Sequence, residues 1–270
     1  MSRQMLFTKI SAAGNDFILI DNRKPLTAHP GPSFIKRVCA RRTGVGADGL
    51  ILLEKSRNQA FAMRYFNADG SEADLCGNGA RAIALFAHTL GVAGRKMKFE
   101  SKSGVHTAEL LDDKARVQMP VPQDFNGNLR LAEEFDLTSG GFLKIGVPHF
   151  VVFVDDISAV EVNKIGRALR HHAYFQNGTN VDFVQIRDRH HLLMRTYERG
   201  VEDETLACGT GAAASAITAH LKKGIQSPVQ VKVPGGVLAV SFNPDFSNLI
   251  LEGPCETIYT GRLRLKEDEP

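Results

Sequence analysis

Two stretches of this chain match each other without a gap: CGNGARAIALFAH at residues 76–88 and CGTGAAASAITAH at residues 208–220. Eight of the thirteen positions are identical, whereas average composition predicts roughly one match in fifteen. Glycines that recur in register mark backbone positions that need a close approach or a positive φ. The match therefore predicts an internal duplication with an offset of 132 residues.

The same offset holds outside this block. The coinciding residues are Gly14 and Gly146, Gly46 and Gly178, Tyr65 and Tyr197, and Glu72 and Glu204. We therefore expect two similar halves, residues 1–119 and residues 120–255. Residues 256–270 extend past the second half, and their strand-like part, residues 257–265, is expected to return to the first half.

Each half shows the same order of predicted elements. Short strand patterns recur along both halves, among them residues 96–101 and 229–233. One helix with a polar face is predicted in each half, at residues 33–42 and 160–172. The other helix, at residues 79–90 and 211–223, is rich in alanine and apolar on all sides, which is typical of a buried central helix. The two prolines at positions 120 and 122 and the DFNG sequence at residues 124–127 predict a turn-rich break between the halves.

The composition excludes several classes of protein. The 270 residues include 33 basic and 30 acidic side chains, and 43% are hydrophobic, which is ordinary globular usage. Without a concentrated basic patch, no nucleic-acid partner is expected. The chargeless residues 205–221 are too few to span a membrane, and residues 1–20 lack a signal-peptide pattern. We therefore expect a cytoplasmic protein with reduced thiols, whose cysteines at 39, 76, 208 and 255 show no metal-binding spacing.

Cys76 and Cys208 stand immediately before the two apolar helices. A helix N-terminus offers free N–H donors and a positive dipole end, which favour a bound anion and a thiolate. If the halves face each other, one cleft holds a carboxylate cradle and a thiol on each wall. One thiolate could then remove a proton from one face of a carbon while the opposite thiol returns a proton to the other face. This chemistry needs neither a metal nor a cofactor, because the N–H groups stabilise the charge that develops on the substrate carboxylate.

Three regions of the chain resemble the diaminopimelate epimerase family. They are GNDF at residues 14–17, NADGSE and CGNGAR at residues 67–72 and 76–81, and YERG and ETLACGTG at residues 197–200 and 204–211. The resemblance covers essentially the whole chain, in order. It implies an α/β (α+β) fold of two pseudo-symmetric halves, each a curled, mostly antiparallel sheet or barrel around a central helix, with the active site in the cleft between them. It also implies a cofactor-independent, homodimeric isomerase that interconverts LL- and meso-diaminopimelate in lysine and peptidoglycan biosynthesis.

The same resemblance implies roles for individual residues. The catalytic pair would be Cys76 and Cys208. The residues that hold the reacting carboxylate through helix-start N–H groups would be Gly77, Asn78, Gly209 and Thr210. The positions that line the substrate pocket would be Asn15, Asn67, Asn180, Glu198 and Arg199, which suits a distal amino-acid end that needs amide, carboxyl and guanidinium partners. His149 and Glu198 match residues that orient the cysteines or tune their pKa.

Three other interpretations compete with this one. Where the family often has Asn-Pro-His, this chain has Val147-Pro148-His149, which supports a two-cysteine racemase for another amino acid. Arg199, together with Asn67 and Asn180, argues against that racemase. The letters GVGADG at residues 44–49 fit a dinucleotide fingerprint, but a helical pattern precedes them and a strand pattern follows, the reverse of what that site needs. A non-catalytic binding protein on the same fold would not require both Cys76 and Cys208.

Overall fold

The structure is a computed structural model that describes residues 4–24, 30–73 and 76–265. The chain divides into two compact units. Unit 1 consists of Met1–Val117 with Gly253–Pro270, and unit 2 consists of Gln118–Glu252. Within the described residues, none of the helices is long and apolar enough to cross a membrane. The last part of the tail that is predicted to return to the first half, residues 266–270, lies outside the described residues.

The described part of unit 1 begins with eight strands and two helices. The strands are β1 (Gln4–Ala12), β2 (Asn15–Asp21), β3 (Gly49–Glu54), β4 (Ala62–Asn67), β5 (Glu72–Ala73), β6 (Lys96–Ser101), β7 (Gly104–Leu110) and β8 (Lys114–Gln118). The helices are α1 (Pro32–Cys39) and α2 (Gly77–Thr89). The pairs β1–β2, β3–β4, β4–β5, β6–β7 and β7–β8 are antiparallel, whereas β2–β3 and β4–β6 are parallel.

Helix α2 is the central helix of unit 1. It contacts β1, β2, β3 and β7, and its first six residues are all buried. Small alanine side chains allow this close packing, because they let strands approach the helix backbone on several sides. Helix α1 begins with Pro32, which has no N–H to leave unpaired. Its apolar side packs into a hydrophobic core cluster that includes Ile18 and Leu50.

Unit 2 contains nine strands and two helices. The strands are β9 (Gln123–Asn126), β10 (Thr138–Ile145), β11 (Val147–Phe153), β12 (Asn180–Ile186), β13 (His191–Glu198), β14 (Asp203–Thr205), β15 (Val229–Val233), β16 (Gly236–Ser241) and β17 (Ile250–Pro254). The helices are α3 (Val162–Arg170) and α4 (Gly209–Lys223), and single turns of 3₁₀ helix cover Glu133–Phe135 and Ile157–Ala159. Strand pairs are antiparallel except for the parallel pairs β11–β12 and β13–β15.

Helix α4 is the central helix of unit 2. It contacts β10, β11, β12, β13, β15 and β16. The helix ends at Gly224, whose left-handed backbone (φ 70°) lets its N–H bond the carbonyl oxygens of the last turn. After this unit the chain forms β18 (Glu256–Arg264), which pairs antiparallel with β1. The predicted α/β class is confirmed, with sheet-rich units and a buried central helix in each.

The structure corrects the prediction of a turn-rich break near residues 124–127 and supports the rejection of a dinucleotide site at residues 44–49. Residues 123–126 of the predicted turn-rich break form β9, which pairs with β10 through an irregular register. Asp124 has a positive φ of 56° within this strand, so its turn-forming sequence produces an irregularity instead of a chain reversal. The GVGADG letters follow α1 and precede β3. The segment therefore lacks the strand–turn–helix order of a dinucleotide site.

Candidate active site

Cys76 occupies the N-cap position of α2, as the sequence predicts. Its backbone is extended (φ −118°, ψ 123°), and its carbonyl accepts the first helical hydrogen bond, from Ala80 N at 2.8 Å. The side chain is half-buried. A Cβ on Gly79 would lie 3.2 Å from the Ile51 Cδ1 atom and 3.3 Å from the Met63 Cε atom. The helix start therefore rests on apolar side chains.

A buried guanidinium lies one turn further along α2. Arg81 is completely inaccessible to solvent. Its Nη2 donates to Asn78 Oδ1 at 2.7 Å and its Nη1 donates to the Gly77 carbonyl oxygen at 3.4 Å, while its Nε has no hydrogen-bond partner among the residues that the structure describes. Burial lowers the pKa of Arg81 to about 10, while the thiols of Cys255 and Cys76 act in the opposite direction. The first turn of α2 is therefore in the field of a buried cation.

A chain of amide groups connects this cation to the start of β2. Asn78 Nδ2 donates to Asn15 Oδ1, and Asn15 Nδ2 donates to Asp48 Oδ2 at 3.0 Å. Asn67 ends β4 near this chain. Its Nδ2 donates to Ser71 Oγ at 3.1 Å, and the next residue, Ala68, donates its N–H to the Asp48 carbonyl oxygen. Four predicted residues of unit 1, namely Gly77, Asn78, Asn15 and Asn67, thus lie around one helix start.

Cys208 occupies the equivalent N-cap position of α4. Its sulfur accepts a hydrogen bond from Gly211 N at 3.3 Å and lies 3.4 Å from Thr210 Oγ1. Burial raises the pKa of the Cys208 thiol well above its ordinary value, and the negative charges of Glu198 and Asp182 raise it further. The hydrogen bonds from Thr210 and Gly211 partly oppose this shift. The environment of Cys208 therefore favours the protonated thiol.

His149 and Asp182 form a fully buried pair beneath the start of α4. His149 Nδ1 lies 2.7 Å from Asp182 Oδ2, and the other carboxylate oxygen accepts a hydrogen bond from Thr196 Oγ1 at 2.7 Å. His149 Nε2 has no hydrogen-bond partner among the described residues. A Cβ on Gly211 would overlap the Asp182 carboxylate. The glycine therefore allows the helix start to pack directly on a buried charge.

The remaining predicted residues of unit 2 cluster at the ends of β12 and β13. Asn180 stands opposite His149 in the β11–β12 register. Its Oδ1 accepts a hydrogen bond from Arg199 N, and its Nδ2 donates to the Pro148 carbonyl oxygen. The Arg199 guanidinium donates to the Asn177 carbonyl oxygen at 3.3 Å and is held by no carboxylate hydrogen bond among the described residues. Burial lowers the pKa of Arg199, and the nearby Arg170 charge adds to this effect.

The sequence interpretation missed two charged residues of these sites. The sequence interpretation gives Arg81 no role beyond its place in the CGNGAR motif. Arg81 nevertheless aligns with Ala213 in the internal match and interrupts an otherwise apolar helix. Asp182 interrupts the apolar run of β12 in the same way. A lone charge inside a buried element is the signal that could have identified both, because such a charge needs a specific partner.

A cavity of about 500 Å³ is also present in unit 2. It is bordered by Phe153, Lys222 and Lys223 at the end of α4 opposite Cys208. None of the predicted site residues lines it. Its volume is therefore not evidence for the position of the candidate active site.

The family model and the curated relatives that match this chain carry the same description. A family model described as "Diaminopimelate epimerase" matches residues 7–123 and 141–262. The diaminopimelate epimerase of Aquifex aeolicus is 43% identical, over 96% of this chain and 98% of that protein. The enzyme of the same name from Chlorobaculum tepidum is 41% identical, over 95% of this chain and 100% of that protein.

Solved structures with much lower identity share the fold. A phenazine biosynthesis protein of the PhzF family from Bacillus anthracis superposes with a TM-score of 0.77 at 15% identity, over 97% of this chain and all of the other. A probable proline racemase from Agrobacterium radiobacter gives a TM-score of 0.69 at 13% identity, over 98% of this chain and 94% of the other. At these identities the likeness concerns the fold alone.

Proposed function

The chain belongs to the diaminopimelate epimerase family of isomerases, and we propose that it interconverts LL- and meso-diaminopimelate with Cys76 and Cys208 as its acid–base pair. The observation that carries the proposal is the position of the two thiols. Each stands at the N-cap of the buried central helix of its unit. A helix N-terminus presents unpaired backbone donors at the place where a substrate carboxylate would bind.

In the proposed reaction each cysteine acts on one face of the substrate α-carbon. The thiolate of one cysteine takes the α-proton, and the electron pair of the broken C–H bond is delocalised into the carboxylate. The N–H groups at Gly77, Asn78, Gly209 and Thr210 would stabilise the negative charge that develops there. The thiol of the other cysteine then donates its proton to the opposite face, which inverts the carbon and leaves a thiolate. No cofactor enters this scheme.

The distal end of the substrate is a second amino acid, which gives the remaining residues a role. We expect Arg199 to bind the distal carboxylate, because its guanidinium keeps donors that no described carboxylate occupies. Asn180 fixes the Arg199 backbone, while Asn15, Asn67 and Glu198 would contact the polar groups of the substrate. His149, held by Asp182, would orient groups around Cys208.

We further propose that the enzyme works as a cytoplasmic homodimer in lysine and peptidoglycan biosynthesis. A two-thiol mechanism requires both cysteines reduced, and reducing compartments maintain that state. Sedimentation of the purified chain would test the dimer, since a stable monomer at working concentration contradicts it. Growth rescue of a bacterium that lacks its diaminopimelate epimerase would test the role in the pathway.

The decisive experiment follows solvent deuterium into the α-carbon of LL-diaminopimelate. The wild-type chain is compared with Cys76→Ala, with Cys208→Ala and with the control Cys39→Ala, which removes a buried thiol outside the proposed site. We expect each active-site variant to lose at least about 100-fold in epimerisation rate and the control to remain active. Full epimerisation in either active-site variant would refute the two-thiol mechanism.

The same assay separates the two-cysteine racemase from the epimerase. Val147 is the residue that favours a racemase, since an apolar side chain replaces an amide that could bind the distal end. Proline and alanine lack that distal end and are the comparison substrates. Turnover of either as fast as that of diaminopimelate would identify the chain as a racemase of simpler amino acids.

A further inference from the structure

The Arg81 guanidinium lies in the interior of unit 1 without a carboxylate partner among the described residues. The side chain is fully buried, and helix geometry directs it back toward the start of α2. Its two hydrogen bonds, to Asn78 and to the Gly77 carbonyl oxygen, both lie in the first helical turn. An amide and a carbonyl bear no net charge, so they orient the cation without neutralising it. A buried charge of this kind calls for an opposite charge nearby.

Within the described residues, the other charged groups on the strands that contact α2 have partners of their own, including Asp21 with Arg23 and Glu54 with Arg64. On β1 and β2, Lys9 and Asp16 form an ion pair of 2.8 Å. Arg41 joins Asp16 to Asp48. On β7, the His106 ring hydrogen-bonds Ser101, while Glu109 pairs with the exposed Lys96 on β6. Burial lowers the pKa of Arg81, and the thiols of Cys255 and then Cys76 oppose this effect.

These two thiols differ in their ability to supply a negative charge. Cys255 joins β17 to β18 and is buried, and burial raises its pKa to about 12 despite the opposing effect of Arg81. Cys255 therefore stays protonated at neutral pH. Cys76 is half-buried at a helix N-cap, where the helix dipole also favours a thiolate. Cys76 is thus the group that can balance the Arg81 charge.

We propose that Arg81 is the built-in counter-ion of a Cys76 thiolate, so that the free enzyme rests with its base on Cys76 and its acid on Cys208. This proposal rests on the two-thiol function and adds to it a resting protonation state and a positioning residue. Unit 2 supports the second part of the assignment, because the Asp182 carboxylate lies beneath Gly211 at the start of α4, and the negative charges of Glu198 and Asp182 both disfavour a Cys208 thiolate. A substrate whose α-proton faces Cys76 would then react without prior proton exchange.

The test measures the rate of Cys76 alkylation by iodoacetamide against pH, with mass spectrometry to identify the modified cysteine. Iodoacetamide reacts with the thiolate, so the midpoint of the curve reports the pKa of the thiol. In the wild-type chain we expect Cys76 to react with a midpoint below the ordinary thiol value of about 8.5. Arg81→Met removes the charge but keeps an apolar stem, and it should raise the midpoint by at least about one unit, which is a tenfold loss of alkylation rate at any pH well below both midpoints. Arg81→Lys should restore most of the wild-type curve.

The matched control is Arg57→Met, which removes a positive charge from an exposed position of the same unit. Its Cys76 curve should coincide with that of the wild type. Epimerisation assays should show a lower kcat for Arg81→Met with little change in KM, because Arg81 acts through Cys76 and not on the substrate. A purely structural role would instead lower the amount of folded protein and would leave the midpoint of the folded fraction unchanged.

The outcomes separate this proposal from the function on which it rests. A wild-type midpoint at or above 8.5 overturns the proposal directly, and so does a folded Arg81→Met variant with an unshifted curve. If Arg81→Met does not fold, the wild-type curve and that of Arg81→Lys still decide. Because alkylation needs no substrate, failure of the proposed function would appear separately, as wild-type protein that incorporates no deuterium.

Discussion

The two helix starts share their backbone design but differ in the charges buried around them. Both begin with a cysteine in extended conformation and continue through Gly-x-Gly into a buried helix. Cys76 stands in the field of the buried cation Arg81, whereas Cys208 stands in the field of the anions Glu198 and Asp182. Under the proposed assignment, a repeated scaffold holds two identical thiols in surroundings of opposite charge. The proposed reaction uses one cysteine as a thiolate and the other as a thiol.

The difference extends to the residues on which each helix start rests. Beneath Gly79 lie the apolar ends of Ile51 and Met63, whereas beneath Gly211 lies the Asp182 carboxylate. In the strand registers Ile51 pairs with Leu19, two residues after Phe17, and Asp182 pairs with Val151, two residues after His149. The buried His149–Asp182 pair of unit 2 therefore occupies positions that are filled by a Phe and an Ile in unit 1.

The largest effect is expected when this buried pair is broken. Asp182→Ile leaves His149 Nδ1 and Thr196 Oγ1 without their acceptor in a fully buried site. We expect a loss of about 3–5 kcal/mol in the free energy of unfolding, measured by urea denaturation. The double variant His149→Phe/Asp182→Ile copies unit 1 and replaces both partners by apolar side chains.

That double variant should recover much of the loss, to within about 2 kcal/mol of the wild type, with the unpaired Thr196 hydroxyl as the main residual cost. A double variant as unstable as the single one would contradict the equivalence of the two sites. It would also show that unit 2 cannot accept the apolar packing of unit 1.

Much of the fold could be predicted because its periodicity is local. The alternating sequence of β6 and the apolar alternation of β15 give strands with the predicted bounds, Lys96–Ser101 and Val229–Val233. The strands that were missed, β5, β9 and β14, contain two to four mostly polar residues. Such segments have no measurable period, and only their pairing with a longer neighbour makes them strands.

Gly79 and Gly211 stand three positions after the two cysteines and differ in what a methyl group would meet there. In Gly211→Ala the new methyl group would overlap the Asp182 carboxylate, which is held by His149 and cannot move freely. We expect a loss of about 2–3 kcal/mol in the free energy of unfolding. In Gly79→Ala the nearest atoms to the new methyl group are the flexible ends of Ile51 and Met63, and the Cys76 Cβ lies at an ordinary contact distance of 3.5 Å. Alanine is also the better helix former by about 1 kcal/mol.

Gly79→Ala should therefore change stability by less than about 1 kcal/mol in the same urea titrations. Equal losses in the two variants would mean that the Asp182 carboxylate can retreat from the start of α4. The proposed difference between the two helix starts, one packed on an immobile carboxylate and the other on flexible apolar side chains, would then be refuted.

The candidate site could be predicted only in part, because motifs encode backbone positions better than charge pairing. The N-cap placement of Cys76 and Cys208 follows from Gly-x-Gly before an alanine-rich run. The hydrogen bond from Asn78 to Asn15 joins residues 63 positions apart, and that from Thr196 to Asp182 crosses between neighbouring strands. Such contacts depend on strand register, which a single sequence does not specify at the level of individual side chains.

The smallest expected effect on stability concerns two equivalent ion pairs, one in each unit. Arg64 on β4 binds Glu72 on β5 through Nε and Nη2, at 2.8 and 3.1 Å. Arg195 on β13 binds Glu204 on β14 in the same way, at 2.6 Å for both contacts. All four side chains are partly exposed, so each pair alone contributes about 1 kcal/mol or less.

Arg195 also donates from Nη1 to the carbonyl oxygens of Ile157 and Val160, at 3.1 and 3.0 Å, which ties the 3₁₀ turn to the sheet. We therefore expect Arg195→Leu to lower the free energy of unfolding by about 2 kcal/mol and Arg64→Leu by about 1 kcal/mol. Arg57→Leu, at an exposed position, should change it by less than about 0.5 kcal/mol. A loss in Arg64→Leu that equals or exceeds the loss in Arg195→Leu would show that the contacts of Arg64 with Glu54 and the Phe66 ring match or outweigh the two carbonyl contacts of Arg195. The asymmetry between the units would then be confined to the surroundings of the two cysteines.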